Sequence, residues 1–140
     1  MSGKYRIGLV LFALLGLGAS IAALYVHYRL MTRGGDLQAS RLLWQNLLSS
    51  EERWMRTAAE RRLTQLDAIE QIQQLQSLTS EYQRRHGNPP PTWDAMIKAG
   101  LLRGLPTDPT GVGYVLDQES GNVTIDRASS LGPLPTEGAP

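Results

Sequence analysis

The chain has 140 residues, no cysteine, and 14 Lys and Arg against 13 Asp and Glu. The missing thiols exclude a disulfide framework, thiolate metal sites and covalent haem attachment. The near-neutral charge offers no electrostatic case for nucleic acid or an acidic substrate, and the polar chain beyond the hydrophobic leader is enough for one small domain.

Residues 1–6 are short and basic through Lys4 and Arg6, and Ile7 to Val26 is an uncharged apolar run. About twenty such residues, coiled as a helix, cross a bilayer core. Tyr25, His27, Tyr28 and Arg29 border the run as a headgroup-level belt would. The reading is therefore a single transmembrane anchor over residues 7–30, in contact with membrane lipid. Gly16 and Ser20, four apart, leave room for another membrane helix to approach. A cleaved signal peptide is the alternative, with Ser20 and Ala22 as the small residues before a cleavage site, but the apolar run continues past them. Lys4 and Arg6 favour a cytoplasmic amino terminus, against the pull of Arg29 and Arg33. That orientation puts the rest of the chain on the periplasmic or extracytoplasmic side of a bacterial inner membrane.

The segments Gly16-Leu17-Gly18-Ala19-Ser20 and Tyr25-Val26-His27-Tyr28-Arg29 resemble the first membrane helix of bacterial vitamin K epoxide reductase homologues. The redox chemistry of that family needs cysteine pairs, which this chain lacks. The resemblance implies only the same amino-terminus-in orientation.

Residues 31–36 contain Gly34-Gly35 and form a hinge, with Asp36 as N-cap of the next helix. Residues 37–86 lack both Pro and Gly and carry apolar side chains every three or four positions, which predicts a long amphipathic helix. Ser49 and Glu52 make a capping-box pattern, so the helix has a second possible start there. The apolar series continues through Leu63, Leu66, Ile69, Ile72 and on to Tyr82. A rod of this length reaches about 70 Å at 1.5 Å per residue. A small cap covers little of that, so the stripe is expected to find another chain, through other membrane subunits or self-association over residues 37–82.

Arg84-Arg85-His86-Gly87 suits a helix end, and Asn88-Pro89-Pro90-Pro91 forces an extended turn. Thr92 caps a short helix from Trp93 to Ala99, closed by Gly100. Leu105 to Gly111 is a tight turn through Pro106, Asp108 and Pro109. Tyr114-Val115-Leu116 and Val123-Thr124-Ile125 read as a β-hairpin turned at Gly121. Residues 87–127 thus form a small α+β cap, and residues 128–140, rich in Gly, Pro and Ser, read as a disordered tail. The whole is mainly α: one transmembrane helix, one long amphipathic helix and a cap with a β-hairpin.

The order helix, Arg-His-Gly-Asn-Pro-Pro, short helix ending in Ala99-Gly100-Leu101-Leu102, then Leu105-Pro106-x-Asp108-Pro109-x-Gly111, Tyr114, Asp117 and Gly121 is similar to the pilin-like pattern over about residues 66–126. It looks like the major pseudopilins of type II secretion, and like short helical-repeat-associated segments in bacterial membrane proteins. That resemblance implies a helix that inserts in the membrane, continues outward and carries a small hairpin on its distal end. The start of the chain departs from the pattern. Pilins begin with a Gly cleavage site followed by Phe and, five residues into the mature chain, Glu; here Gly3-Lys4-Tyr5 stands instead, with no acidic residue before Asp36. Asp117, Glu119 and Asp126 occupy the region of that family's calcium loops, and read equally as plain turn residues.

No nucleophile elbow, phosphate-binding Gly loop or metal-spaced His cluster is present, and His27 and His86 read as a membrane-boundary residue and a helix end. These observations imply no enzyme and no cofactor. The expectation is an accessory or scaffold subunit of a bacterial envelope assembly that acts by helix packing. The alternative is an extracytoplasmic module that recognises a peptide or polymer through Trp93 and Tyr114.

Overall fold

The computed structural model describes residues 37–135. Among the described residues, 37–43 fall in one unit and 44–135 in a second. Helix α1 covers residues 37–47, α2 is Arg53–His86 and α3 is Trp93–Lys98. Strands β1 (Val115–Leu116) and β2 (Val123–Thr124) pair antiparallel, Val115 opposite Thr124 and Leu116 opposite Val123.

The single transmembrane helix is not supported. No helix among the described residues is long and apolar enough to cross a membrane. The 34 residues of α2 have the length, but Arg, Glu, Gln and Ser occupy most of its circumference. The stretch 7–30, with Gly16 and Ser20, lies outside the described residues. The membrane and signal-anchor assignments lose their support with it.

The helical rod is also interrupted, because the chain leaves helix after residue 47 and resumes at Arg53. No capping box forms between Ser49 and Glu52. Glu52 is itself the N-cap and makes no side-chain cap bond, while the Ser50 hydroxyl accepts the Glu52 N–H at 3.3 Å. Arg56 reaches back instead, its Nη1 donating to the carbonyls of Ser50 at 2.7 Å and Glu51 at 2.9 Å. One guanidinium thus satisfies the carbonyls that the break leaves open.

The far end of α2 follows local rules. Arg84, Arg85 and His86 fill its last turn, and Gly87, at φ 83°, closes it with an N–H bond to the Gln83 carbonyl. The Thr92 side chain caps α3 by accepting the Ala95 N–H at 3.2 Å. Met96 and Pro90 are fully buried. The hairpin turn is built on Asp117, whose Oδ1 accepts the N–H groups of Glu119 and Ser120, and Gly121 takes φ 73° at its end.

Two strands of two residues are not stable alone. They are held by α2, whose buried seam runs Gln65, Ala68, Ile72, Leu75 and Thr79, in steps of three and four. Leu75, Tyr114 and Val123 form the core, with Ile72, Trp93, Leu102, Leu116 and Ile125 packed around it. Of the apolar stripe expected to be uncovered over residues 37–82, the part from 63 onward is thus largely covered by the chain itself. Leu66 and Leu75 are buried within the chain, and Leu63, Ile69, Ile72 and Leu78 are half-buried.

Residues 128–135 are not a loose tail. Ser129 and Leu131 are buried, the latter 4% exposed, and Gln65 Nε2 donates to the Leu131 carbonyl at 2.7 Å and that of Pro133 at 3.2 Å. Composition alone marks this segment as disordered, but one apolar anchor and a buried glutamine suffice to dock it.

Candidate functional site

Two groups of residues meet where the cap lies on α2, and both grow from the Leu105–Tyr114 turn. The first centres on Asp108, 4% exposed. Its Oδ1 accepts the Thr110 N–H at 2.8 Å, the Thr110 hydroxyl at 2.6 Å and the Val112 N–H at 3.1 Å, and its Oδ2 accepts the Ser129 hydroxyl. Pro109 and Gly111 are exposed at the tip, and Gly111 takes φ 89°, which lets the loop close back on the carboxylate. Burial acts against the charged form, yet the donors from Ser129, Thr110 and the Val112 and Thr110 N–H groups outweigh it and hold the carboxyl below the usual aspartate range. Both oxygens are committed to protein donors. Asp108 thus organises a loop and ties the carboxy-terminal segment to it.

The second group centres on Tyr114. Its hydroxyl donates to Gln71 Oε1 at 2.6 Å and lies 3.4 Å from the Ala68 carbonyl, and its own carbonyl accepts Trp93 Nε1–H at 3.0 Å. Burial first, and the Asp108 charge second, push the phenol up to about 12. Beside this ring runs a groove of about 190 Å³ lined mainly by Leu75, Leu78, Leu102, Pro106 and Tyr114, with Gln71 and Gln74 on its rim. It is apolar and carries no convergent ionisable groups. Such a surface can accept a hydrocarbon side chain.

The structure brings Trp93, Pro106, Asp108 and Tyr114 together with Ile72 in and around the core. Leu66 is buried on α2, and Leu63 and Ile69 are half-buried there. Tyr82 stands apart on the last turns of α2, its ring stacked on His86 with centroids 4.1 Å apart. Glu81, beside it, is held below the ordinary glutamate range by Arg85 and then Arg84, a pair that works as the end of the helix. Asp117 spends one oxygen on its own turn, and no group of three or more His, Asp or Glu among the described residues could hold a metal ion.

The residues that sequence reasoning missed are polar ones on the buried seam. Gln76 Nε2 donates to the Gly121 carbonyl at 3.0 Å and its Oε1 accepts the Val123 N–H at 3.0 Å, so one side-chain amide pairs with β2 as a neighbouring strand would. Gln65 and Gln71 do comparable work on the segment 131–133 and on Tyr114. A signal was present, because Gln65 and Thr79 stand at the ends of the three-four series that includes Ile72 and Leu75.

No protein-family model matches the chain, and no curated protein or solved structure matches it either.

Proposed function

We propose that this chain is a non-enzymatic accessory or scaffold subunit of a bacterial envelope assembly, acting by helix packing, with residues 48–54 as the contacting segment. The observation that carries this reading is where large apolar side chains stay exposed. At the break before α2 and at its first turn they are Leu48, at 37%, and Trp54, at 66%. Farther along α2 the apolar seam is covered by the cap. Exposed leucine and tryptophan concentrated in one stretch are what a partner helix buries. In the cap, Leu105 and Val115 are also exposed. The alternative, recognition through Trp93 and Tyr114, has less support, since the indole N–H and the phenol hydroxyl are both spent on internal hydrogen bonds.

The test is isolation of the full chain, unaltered and as Trp54→Glu and Leu48→Glu variants, followed by mass analysis of whatever accompanies it. The unaltered chain is expected with fixed-ratio partners or as an oligomer, and each variant without them. Trp54 is the more exposed of the two, so Trp54→Glu should move the unfolding free energy by no more than about 0.5 kcal/mol, and amide exchange at α3 and the hairpin checks that Leu48→Glu is folded. A monodisperse monomer indifferent to both substitutions defeats the proposal.

A further inference from the structure

The segment Ser129–Pro133 has no strand or helix of its own, yet side chains read three successive carbonyls of it. Gln65 Nε2 takes those of Leu131 and Pro133, and Arg61 Nη2 takes that of Gly132 at 3.3 Å. Ser129 gives its hydroxyl to Asp108, and Leu131 is buried. Carbonyl-reading donors, one apolar anchor and one carboxylate for a hydroxyl make a site for a short turn, closed by the Gly132 N–H on the Ser129 carbonyl at 3.4 Å and filled here by the chain itself.

From this geometry we infer that the site on α2 and Asp108 also takes the Ser129–Pro133 segment of a second copy of this chain, so that copies are linked by exchange of that segment. The inference deepens the proposed assembly role and rests on it, naming a second copy as one partner and giving its contact. No backbone ladder joins the segment to α2, so every contact to α2 is one that an identical segment from another copy reproduces, and exchange of identical elements is a low-cost route to association. The hinge is the tight turn Asp126–Ser129, closed by the Ser129 N–H on the Asp126 carbonyl and the Ala128 N–H on Asp126 Oδ1. Within one chain the segment faces its own site at an effective concentration on the order of millimolar, so exchange dominates only where copies are held together, as in an assembly.

The experiment removes that internal competition. Full-length Gln65→Ala keeps a usable segment and loses the site, whereas full-length Leu131→Asp keeps the site and loses the segment. Mixed one to one, the two should form a heterodimer by native mass spectrometry and sedimentation, at least about tenfold tighter than either variant with itself. Amide exchange at α3 and the hairpin verifies that each is folded. If Leu131→Asp is not, Ser129→Ala takes its place. Absence of a preferred heterodimer overturns the inference. Repeating the mixture with Trp54→Glu in both chains separates the two ideas. Association abolished by Trp54→Glu and equal in every pairing leaves the packing role standing and removes the exchange. A complementary heterodimer that ignores Trp54→Glu establishes the exchange and removes residues 48–54 as the contact.

Discussion

The side-chain amide of Gln76 faces the backbone of Val123 as though it were the next strand: its Oε1 takes the Val123 N–H at 3.0 Å while its Nε2 reaches the Gly121 carbonyl at 3.0 Å. A two-stranded sheet has two open edges, and here a helix closes one of them. Gln76→Ala leaves both backbone groups without their partner in a partly buried place, and the loss should be about 2–3 kcal/mol in urea unfolding. Gln76→Glu, which still accepts from Val123 but no longer donates to Gly121, should fall between the two.

Asp108 should be the most sensitive polar position. Removing its carboxylate as Asp108→Ala strands Thr110, Val112 and Ser129, and about 3 kcal/mol should be lost. Ser129→Ala, which leaves one buried oxygen unpaired, should cost about 1–2 kcal/mol and release the 129–133 segment, seen as faster amide exchange at Leu131. Because the folded carboxyl titrates below its ordinary value of 3.8, its contribution is whole above that pH and is lost as pH falls through the lower, folded value. Asp117 and Glu81 add terms of the same sign, so the part due to Asp108 is the difference between the acid limbs of wild type and Asp108→Asn.

Tyr114 makes the opposite demand at high pH. The unfolded phenol ionises near 10 and the folded one at about 12, so stability from Tyr114 is complete below 10 and declines as pH rises through this window. Tyrosinate absorbance of wild type minus Tyr114→Phe should show one late-titrating group. Tyr114→Phe also gives up the bond to Gln71 and should lose about 1 kcal/mol at neutral pH.

Gly87 and Gly121 both take left-handed backbone, at φ 83° and 73°. An alanine at either should cost about 1–2 kcal/mol for that conformation alone. Space around Gly87 is open, whereas an added Cβ at Gly121 meets the Pro89 Cβ at 3.4 Å. Contact at that distance is ordinary, so the two substitutions should cost about the same in thermal unfolding.

The sequence by itself determined the features that depend on neighbours along the chain. Basic residues before Gly87, Thr92 ahead of Trp93, the Asp108-Pro109 turn with Gly111 and the hairpin turn before Gly121 act through bonds spanning five residues or fewer, and each signal lies within its own segment. Tertiary structure decided which flank of α2 is buried and what lies on it. Counting apolar side chains picks Leu63, Leu66, Ile69, Ile72 and Tyr82, of which Ile72 packs on the core, while the seam that the cap covers runs from Gln65 to Thr79 and admits Gln65 because its partners are backbone carbonyls 66 and 68 residues away. The same physics docks the 129–133 segment against its composition: one buried leucine and a few well-placed donors outweigh a Gly, Pro and Ser bias once a receiving surface exists.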